Sequence, residues 1–299
     1  MALGEEQLKL AEEFCKDEYI DYMVYKYLAE HEKRPEHKKI LEELSEDEYR
    51  HYEFWKKIVG KDCSQEISKT YLQRIKLMRK IFGLTFTLKW LERHEEEVVQ
   101  AYKDYLKYLE GEERRKLEDI ILDEEKHENE LMSGIKETIV KYMSFIVLGL
   151  ADAIVEITGV HAGFLGVTSY TIMAGIAGLI VGLSAAISMS SAAYIQAKHD
   201  PTRNPTTSAI MTGIGYVGAV VLLALPYFAT HNMAYAFTAS ILLGIILIGI
   251  FTFYGAIVFD RSFKREFIES VGLMLGTAFA SYLFGELIGG YFGIRGIFG

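Results

Sequence analysis

The sequence predicts an all-α protein in two parts, a cytoplasmic four-helix bundle over residues 1–138 and a five-helix transmembrane domain over residues 139–299. Three observations carry this. Charge is concentrated in one half: residues 1–140 hold 25 Lys/Arg against 34 Asp/Glu, whereas residues 141–299 hold only 7 of each. Two stretches, 157–197 and 204–259, contain no Asp, Glu, Lys or Arg. At 41 and 56 residues they far exceed the roughly 20 apolar residues that one helix needs to cross a bilayer. Finally, the acidic half carries the pair Glu-x-x-His twice, at Glu48/His51 and Glu124/His127, and residues three apart share a helix face.

In the soluble half, the first helix runs from about Glu5 to His31, with Leu8, Phe14, Tyr22, Tyr25 and Leu28 among its core candidates. Pro35 suits the first turn of a second helix, which ends near Gly60. A third covers about Leu84 to Leu109 and is broken by Gly111. The fourth starts near Glu112 and, with only Gly134 to weaken it, is expected to run on into the first span. The connection over 61–83 is long, as in bundles with a crossover. It reads as a helix from Ser64 to Phe82, with Ile67, Tyr71, Ile75 and Met78 on one side and Lys69, Arg74, Lys76, Arg79 and Lys80 making it basic. Two readings stay open for it: a cover on the bundle with a solvated basic face, or an amphipathic helix on an anionic membrane surface.

The five spans are expected at about 142–163, 167–195, 207–229, 234–258 and 268–292. Gly163/Gly166 separate the first two, and His231-Asn232 the third and fourth. Lys136, Lys141, Lys198, Arg203, Arg261, Lys264 and Arg265 flank one side, while the other two loops carry no Lys or Arg. The positive-inside rule then places the N-terminal domain in the cytoplasm and Arg295 outside. The first 30 residues are acidic and lack the apolar core of a secretory signal. Cys15 and Cys63 are accordingly expected to be cytosolic thiols without a disulfide, Cys15 acting as a small buried hydrophobe one turn before Glu18.

The ligand pattern is written twice. Glu18 precedes Glu48-x-x-His51 by 30 residues, and Glu95 precedes Glu124-x-x-His127 by 29, with Tyr25 and Tyr102 each seven residues after the first Glu. One helical Glu from each of two helices, plus Glu-x-x-His from each of the other two, is the dinuclear iron or manganese carboxylate arrangement. Burying four carboxylates together without cations would be very costly. Glu18, Glu48, His51, Glu95, Glu124 and His127 are therefore the expected ligands. Glu92, one turn before Glu95, is the substitute on the third helix.

In the membrane half, Asp152 and Glu156 are four apart on the first span and share a face. Intramembrane acids usually mark an ion pathway or proton relay. Met189 lies on the second span among small residues; its thioether beside carboxylates would favour a softer divalent transition metal over Mg2+ or Ca2+.

On these residues, about 5–133 resemble the rubrerythrin and ferritin-like di-iron family. The resemblance implies Glu18 and Glu95 as terminal carboxylates, Glu48 and Glu124 as bridging ones, and His51 and His127 as nitrogen ligands, with Fe(II) oxidation or peroxide reduction as the chemistry. Two departures stand out. A further third-helix Glu of rubrerythrins is replaced by Val98, and no Cys-x-x-Cys pair is present. Residues about 142–292 resemble the vacuolar iron transporter family through Leu148-Gly149-Leu150-Ala151-Asp152, Ala186-Ile187-Ser188-Met189, Arg203-Asn204-Pro205 and Pro226-Tyr227. This resemblance implies a five-span homodimer exchanging Fe2+ for H+, with Asp152 and Met189 in the ion path. The family's Glu eight residues before that Met is here Val181, and Glu156 would supply the missing carboxylate. The combination resembles membrane-bound ferritin fusions, whose bacterial members export iron.

The expected function is proton-coupled export of Fe2+, with Mn2+ as alternative cargo, across the cell inner membrane. A cytoplasmic di-iron site would capture, sense or oxidise the metal, and manganese is the alternative occupant of that site. The competing expectation is a membrane-anchored di-iron ferroxidase or peroxide scavenger. Metal ions, protons, the lipid bilayer and a second copy of the chain are the expected partners; nucleic acid is not.

Overall fold

The computed structural model describes residues 3–134 and 138–294, apart from the side chains of 94–96, 125–134 and 138–139. Among the described residues all regular structure is helical, and the chain divides into two compact units, Met1–Glu137 and Thr138–Gly299.

In the first unit, α1 (Glu5–His31) and α2 (Pro35–Val59) form a hairpin, with Pro35 at the start of α2 and a left-handed Gly60 (φ 74°) capping its end. Each buries one stripe: Ala11, Phe14, Cys15, Glu18, Tyr25 and Leu28 on α1, and Leu41, Leu44, Ser45, Glu48, His51, Tyr52 and Trp55 on α2. These follow the 3.6-residue period, so Glu18, Glu48 and His51 occupy positions where the pattern otherwise demands apolar groups. Leu8, expected in the core, is 37% exposed.

The crossover helix α3 is shorter than its sequence suggests, Lys69–Phe82, and is preceded by an irregular segment. Leu72, Ile75 and Met78 face the core, whereas Tyr71 is exposed. Arg79 is not part of a free basic face: its Nε donates to Glu32 at 3.0 Å, tying α3 to the end of α1.

The expected third helix is broken. It consists of α4 (Leu84–Leu91), a 3-10 turn at Glu92–His94, α5 (Glu95–Tyr105) and a second 3-10 turn at Leu106–Tyr108. Then α6 spans Gly111–Gly134, and the expected continuation into the first span falls on residues 135–137, outside the described residues.

The two cysteines are joined. Cys15 of α1 and Cys63, just beyond α2, form a disulfide with Cα atoms 5.9 Å apart. The expectation of separate thiols fails because Gly60 turns the chain back over α1. Lys61 then pairs with Glu12 at 2.6 Å and the Tyr52 hydroxyl donates to Asp62 at 2.6 Å, which holds Cys63 over Cys15.

The second unit contains five helices long and apolar enough to cross a membrane. They are α7 (Thr138–Val167), α8 (Thr171–Lys198), α9 (Pro205–Ala229), α10 (Met233–Val258) and α11 (Phe263–Phe292). Asn204 and Asn232 cap α9 and α10 by accepting from the backbone N–H of Thr207 (3.0 Å) and Tyr235 (3.1 Å).

Gly163 and Gly166 do not separate spans; both lie inside α7, which ends at Val167. They are where α11 comes close. A Cβ on Gly166 would sit 2.7 Å from the Glu286 backbone nitrogen, and one on Gly285 would collide with the Gly163 carbonyl. Small residues at such crossings let the two helix backbones approach this closely.

Candidate metal centre

Four of the six expected ligands meet inside the first unit. Glu18, Glu48, His51 and Glu124 are all buried, and each offers a ligand atom within 4.8 Å of the others. His51 lies among the three acids, its Nδ1 2.8 Å from Glu124 Oε1, 3.5 Å from Glu48 Oε2 and 3.6 Å from Glu18 Oε2. Its Nε2 faces Asp123 Oδ2 at 4.0 Å. The i,i+3 spacing puts Glu48 and His51 on one face of α2, and α1 and α6 supply the other two carboxylates. Expected ligands Glu95 and His127 lie on α5 and α6, but their side chains fall outside the described residues. Glu92 sits at the 3-10 turn between α4 and α5 and is 8% exposed.

The electrostatics follow from crowding acids in a dry place. Burial, reinforced by the charges of Glu124 and Glu18, pushes the Glu48 carboxyl well above the usual range, although His51 opposes the shift. For His51, burial is the largest single influence and favours the neutral ring. Glu18, with hydrogen bonding to Asp123 and Glu124, outweighs it and raises the imidazole well above its ordinary value. Asp21, one turn after Glu18, is also raised, first by burial and then by Glu18, Asp17, Glu124 and Glu92. Three crowded, buried carboxylates need compensating positive charge: without metal a protonated His51 offers one, and a divalent cation would displace that proton and take the neutral imidazole as a ligand. Carboxylate plus imidazole is the donor chemistry that iron and manganese accept. The residues present therefore fit a metal.

Around this cluster, the Tyr102 hydroxyl donates to Glu18. Tyr102 belongs to an aromatic layer with Phe14 (centroids 4.8 Å) and Trp55 (5.1 Å), which excludes water from one side of the acids. Asp21 and Asp123 were missed in the sequence. Both lie in acid-rich helices, and only packing singles them out.

The acids of the apolar helices are less closely grouped. Asp152 is exposed on α7, and Glu156 is half-buried and accepts a hydrogen bond from the Tyr216 hydroxyl of α9. Met189 packs half-buried against the apolar core of this unit. A groove of about 700 Å3 between α7, α8 and α11 is lined by Glu156, Val181, Thr277 and Ser281, with neither Asp152 nor Met189 in its wall. Two polar residues were overlooked. Tyr216 is fully buried yet aims its hydroxyl at Glu156, and Glu286 is an acid well inside α11 that accepts from Tyr282 at 2.8 Å. Glu286 was legible as the lone acid after Glu269.

No curated protein and no solved structure matches the chain. Residues 7–134 match the family model described as rubrerythrin, so the first unit carries a rubrerythrin-type, ferritin-like domain, here joined to five helices apolar enough to cross a membrane.

Proposed function

We propose that the protein exports Fe2+, or Mn2+, from the cytoplasm in exchange for protons. In this reading the rubrerythrin-type unit collects the metal on the cytoplasmic side, and two copies of the chain form the working assembly. The observation that carries the proposal is the coexistence, in one chain, of a buried three-carboxylate, one-histidine cluster and apolar helices that retain acids where an anchor needs none. Glu18, Glu48, His51 and Glu124 would hold the metal, with Glu95 and His127 completing a dinuclear site. Resident iron would supply one-electron chemistry toward oxygen or peroxide.

Asp152, Glu156 and Met189 would form the ion path. An ionised carboxylate is costly in a low-dielectric interior, so an acid that releases its cation there is best satisfied by taking a proton. That exchange couples metal exit to proton entry. Tyr216 would orient Glu156 by the hydrogen bond it donates.

Metal flux in proteoliposomes under a pH gradient tests the reading, which fails if wild type moves no more metal than Asp152→Ala. The rubrerythrin match favours one second reading, a membrane-anchored di-iron oxidase or peroxide reductase. Metal-dependent consumption of oxygen or peroxide without flux would select it.

A further inference from the structure

The Cys15–Cys63 bridge lies one helical turn from Glu18. Cys15 and Glu18 belong to the same buried stripe of α1, and their i,i+3 spacing places their Cβ atoms about 5–6 Å apart. Cys15 is fully buried and Cys63 is 4% exposed. The bridge packs in one cluster with Trp55 and Tyr102, and Tyr102 is the residue hydrogen-bonded to Glu18. Cys63 sits in the irregular segment that follows α2, held by Lys61–Glu12 at 2.6 Å and by Asp62, which accepts from Tyr52 and from the Ser64 N–H. One half of the bridge is thus on helix beside the acids, and the other is in an irregular segment whose flanking residues Asp62 and Ser64 are exposed. These are the only two cysteines in the chain. In a reducing cytosol, disulfides that do form are usually transient and catalytic or redox-sensing.

We propose that Cys15 and Cys63 form a redox-active pair that delivers two electrons, one each, to a pair of iron ions seated among Glu18, Glu48, His51 and Glu124. The inference rests on the iron-binding reading above. Hydrogen peroxide is the oxidant: with two protons it takes one electron from each of two ferrous ions, giving two waters and two ferric ions. The dithiol then gives up two protons and two electrons, one electron to each ferric ion, as the S–S bond forms. The sum is one peroxide and two thiols converted to one disulfide and two waters, with the iron returned to its ferrous state. A low-molecular-weight thiol, attacking through the Cys63 segment, restores the dithiol by exchange.

The full chain in detergent tests this. It is reduced, freed of reductant without oxygen, loaded with two Fe2+ per chain and given one hydrogen peroxide per chain. Free thiols are counted by the mass added by a maleimide, and Fe2+ by a chromogenic chelator after acid quenching. The expected result is loss of both thiols with iron recovered as Fe2+, at least tenfold faster than thiol loss in the iron-free protein. The same chain with its disulfide already formed should bind as much Fe2+ but end ferric, a control that needs no substitution. Cys15→Ser/Cys63→Ser should behave like that oxidised form. Iron bound and oxidised with both thiols intact would overturn the inference, as would thiol loss at the same rate without iron; either leaves the metal-binding reading standing. Failure of wild type to bind Fe2+ would remove both.

Discussion

Tyr102 donates its hydroxyl to Glu18, a residue 84 positions earlier in the chain. In the sequence, Glu18/Tyr25 and Glu95/Tyr102 look like two copies of one phrase. In the structure the tyrosine of the second copy serves the glutamate of the first, so the two halves interlock at the acids rather than sitting side by side. The hydroxyl is fully buried, and burial followed by the Glu18 and Glu124 charges raises the phenol well above its usual range, so it stays a donor.

That relationship gives the first prediction. Tyr102→Phe removes a partner of a candidate ligand without changing the ligand set. Outer partners of this kind typically contribute 10–100-fold in metal affinity. We expect Fe2+ or Mn2+ affinity to fall by about that factor in competition with a chromogenic chelator, with the helical circular dichroism signal retained.

A pH dependence follows from Glu48 and His51. Both have folded-state values above their ordinary ones, so the folded protein without metal binds more protons than the unfolded chain. Stability from such groups is fully present below their unfolded values, about 4.3 for Glu and 6.5 for His, and is lost as pH rises through the folded values. In chelator, thermal melts of the full chain should show this unit losing stability as pH rises above about 4.3, and more steeply above about 6.5. Glu48→Gln should flatten the slope, and metal at 100 times Kd should restore about 2.7 kcal/mol. A slope of opposite sign would contradict the buried-acid account.

The α7–α11 crossing predicts contrasting glycine substitutions. Gly285→Ala drives a methyl into the Gly163 carbonyl, whereas nothing lies within 4 Å of a Cβ on Gly276 of the same helix. Overpacking of this kind costs about 1–3 kcal/mol. Gly285→Ala should lower the detergent melting temperature of the membrane unit, and Gly276→Ala should leave it unchanged.

Tyr216→Phe addresses the membrane acids. It deletes the hydrogen bond to Glu156 while conserving shape. Under the export proposal it should reduce metal flux several-fold and displace the pH profile of transport, with metal binding by the soluble unit unaffected. Unchanged flux would remove Glu156 from the path.

Much of this was legible in the sequence because helical periodicity reports burial. Glu18, Glu48, His51 and Glu124 interrupt apolar stripes at positions that must face inward, so their convergence could be read from spacing. What escaped was set by long-range packing. Nothing local distinguishes Cys63 as a partner for Cys15, since the bridge depends on the turn at Gly60 and the Lys61 and Asp62 contacts. The 3-10 turn at Glu92 breaks a sequence that is helical by composition. Gly163 and Gly166 look like helix breakers but serve a helix crossing, a role visible only once Gly285 is opposite them. Tyr216 could not be told from any other aromatic on an apolar span.

The central claim is tested most directly by Fe2+ and Mn2+ uptake into inside-out proteoliposomes with an imposed pH gradient. Wild type is compared with Asp152→Ala and with Glu48→Ala/Glu124→Ala. The account predicts flux in wild type that Asp152→Ala abolishes and the bundle double variant weakens. No flux in any of them, with oxygen or peroxide consumed by wild type alone, would contradict it and leave an anchored enzyme.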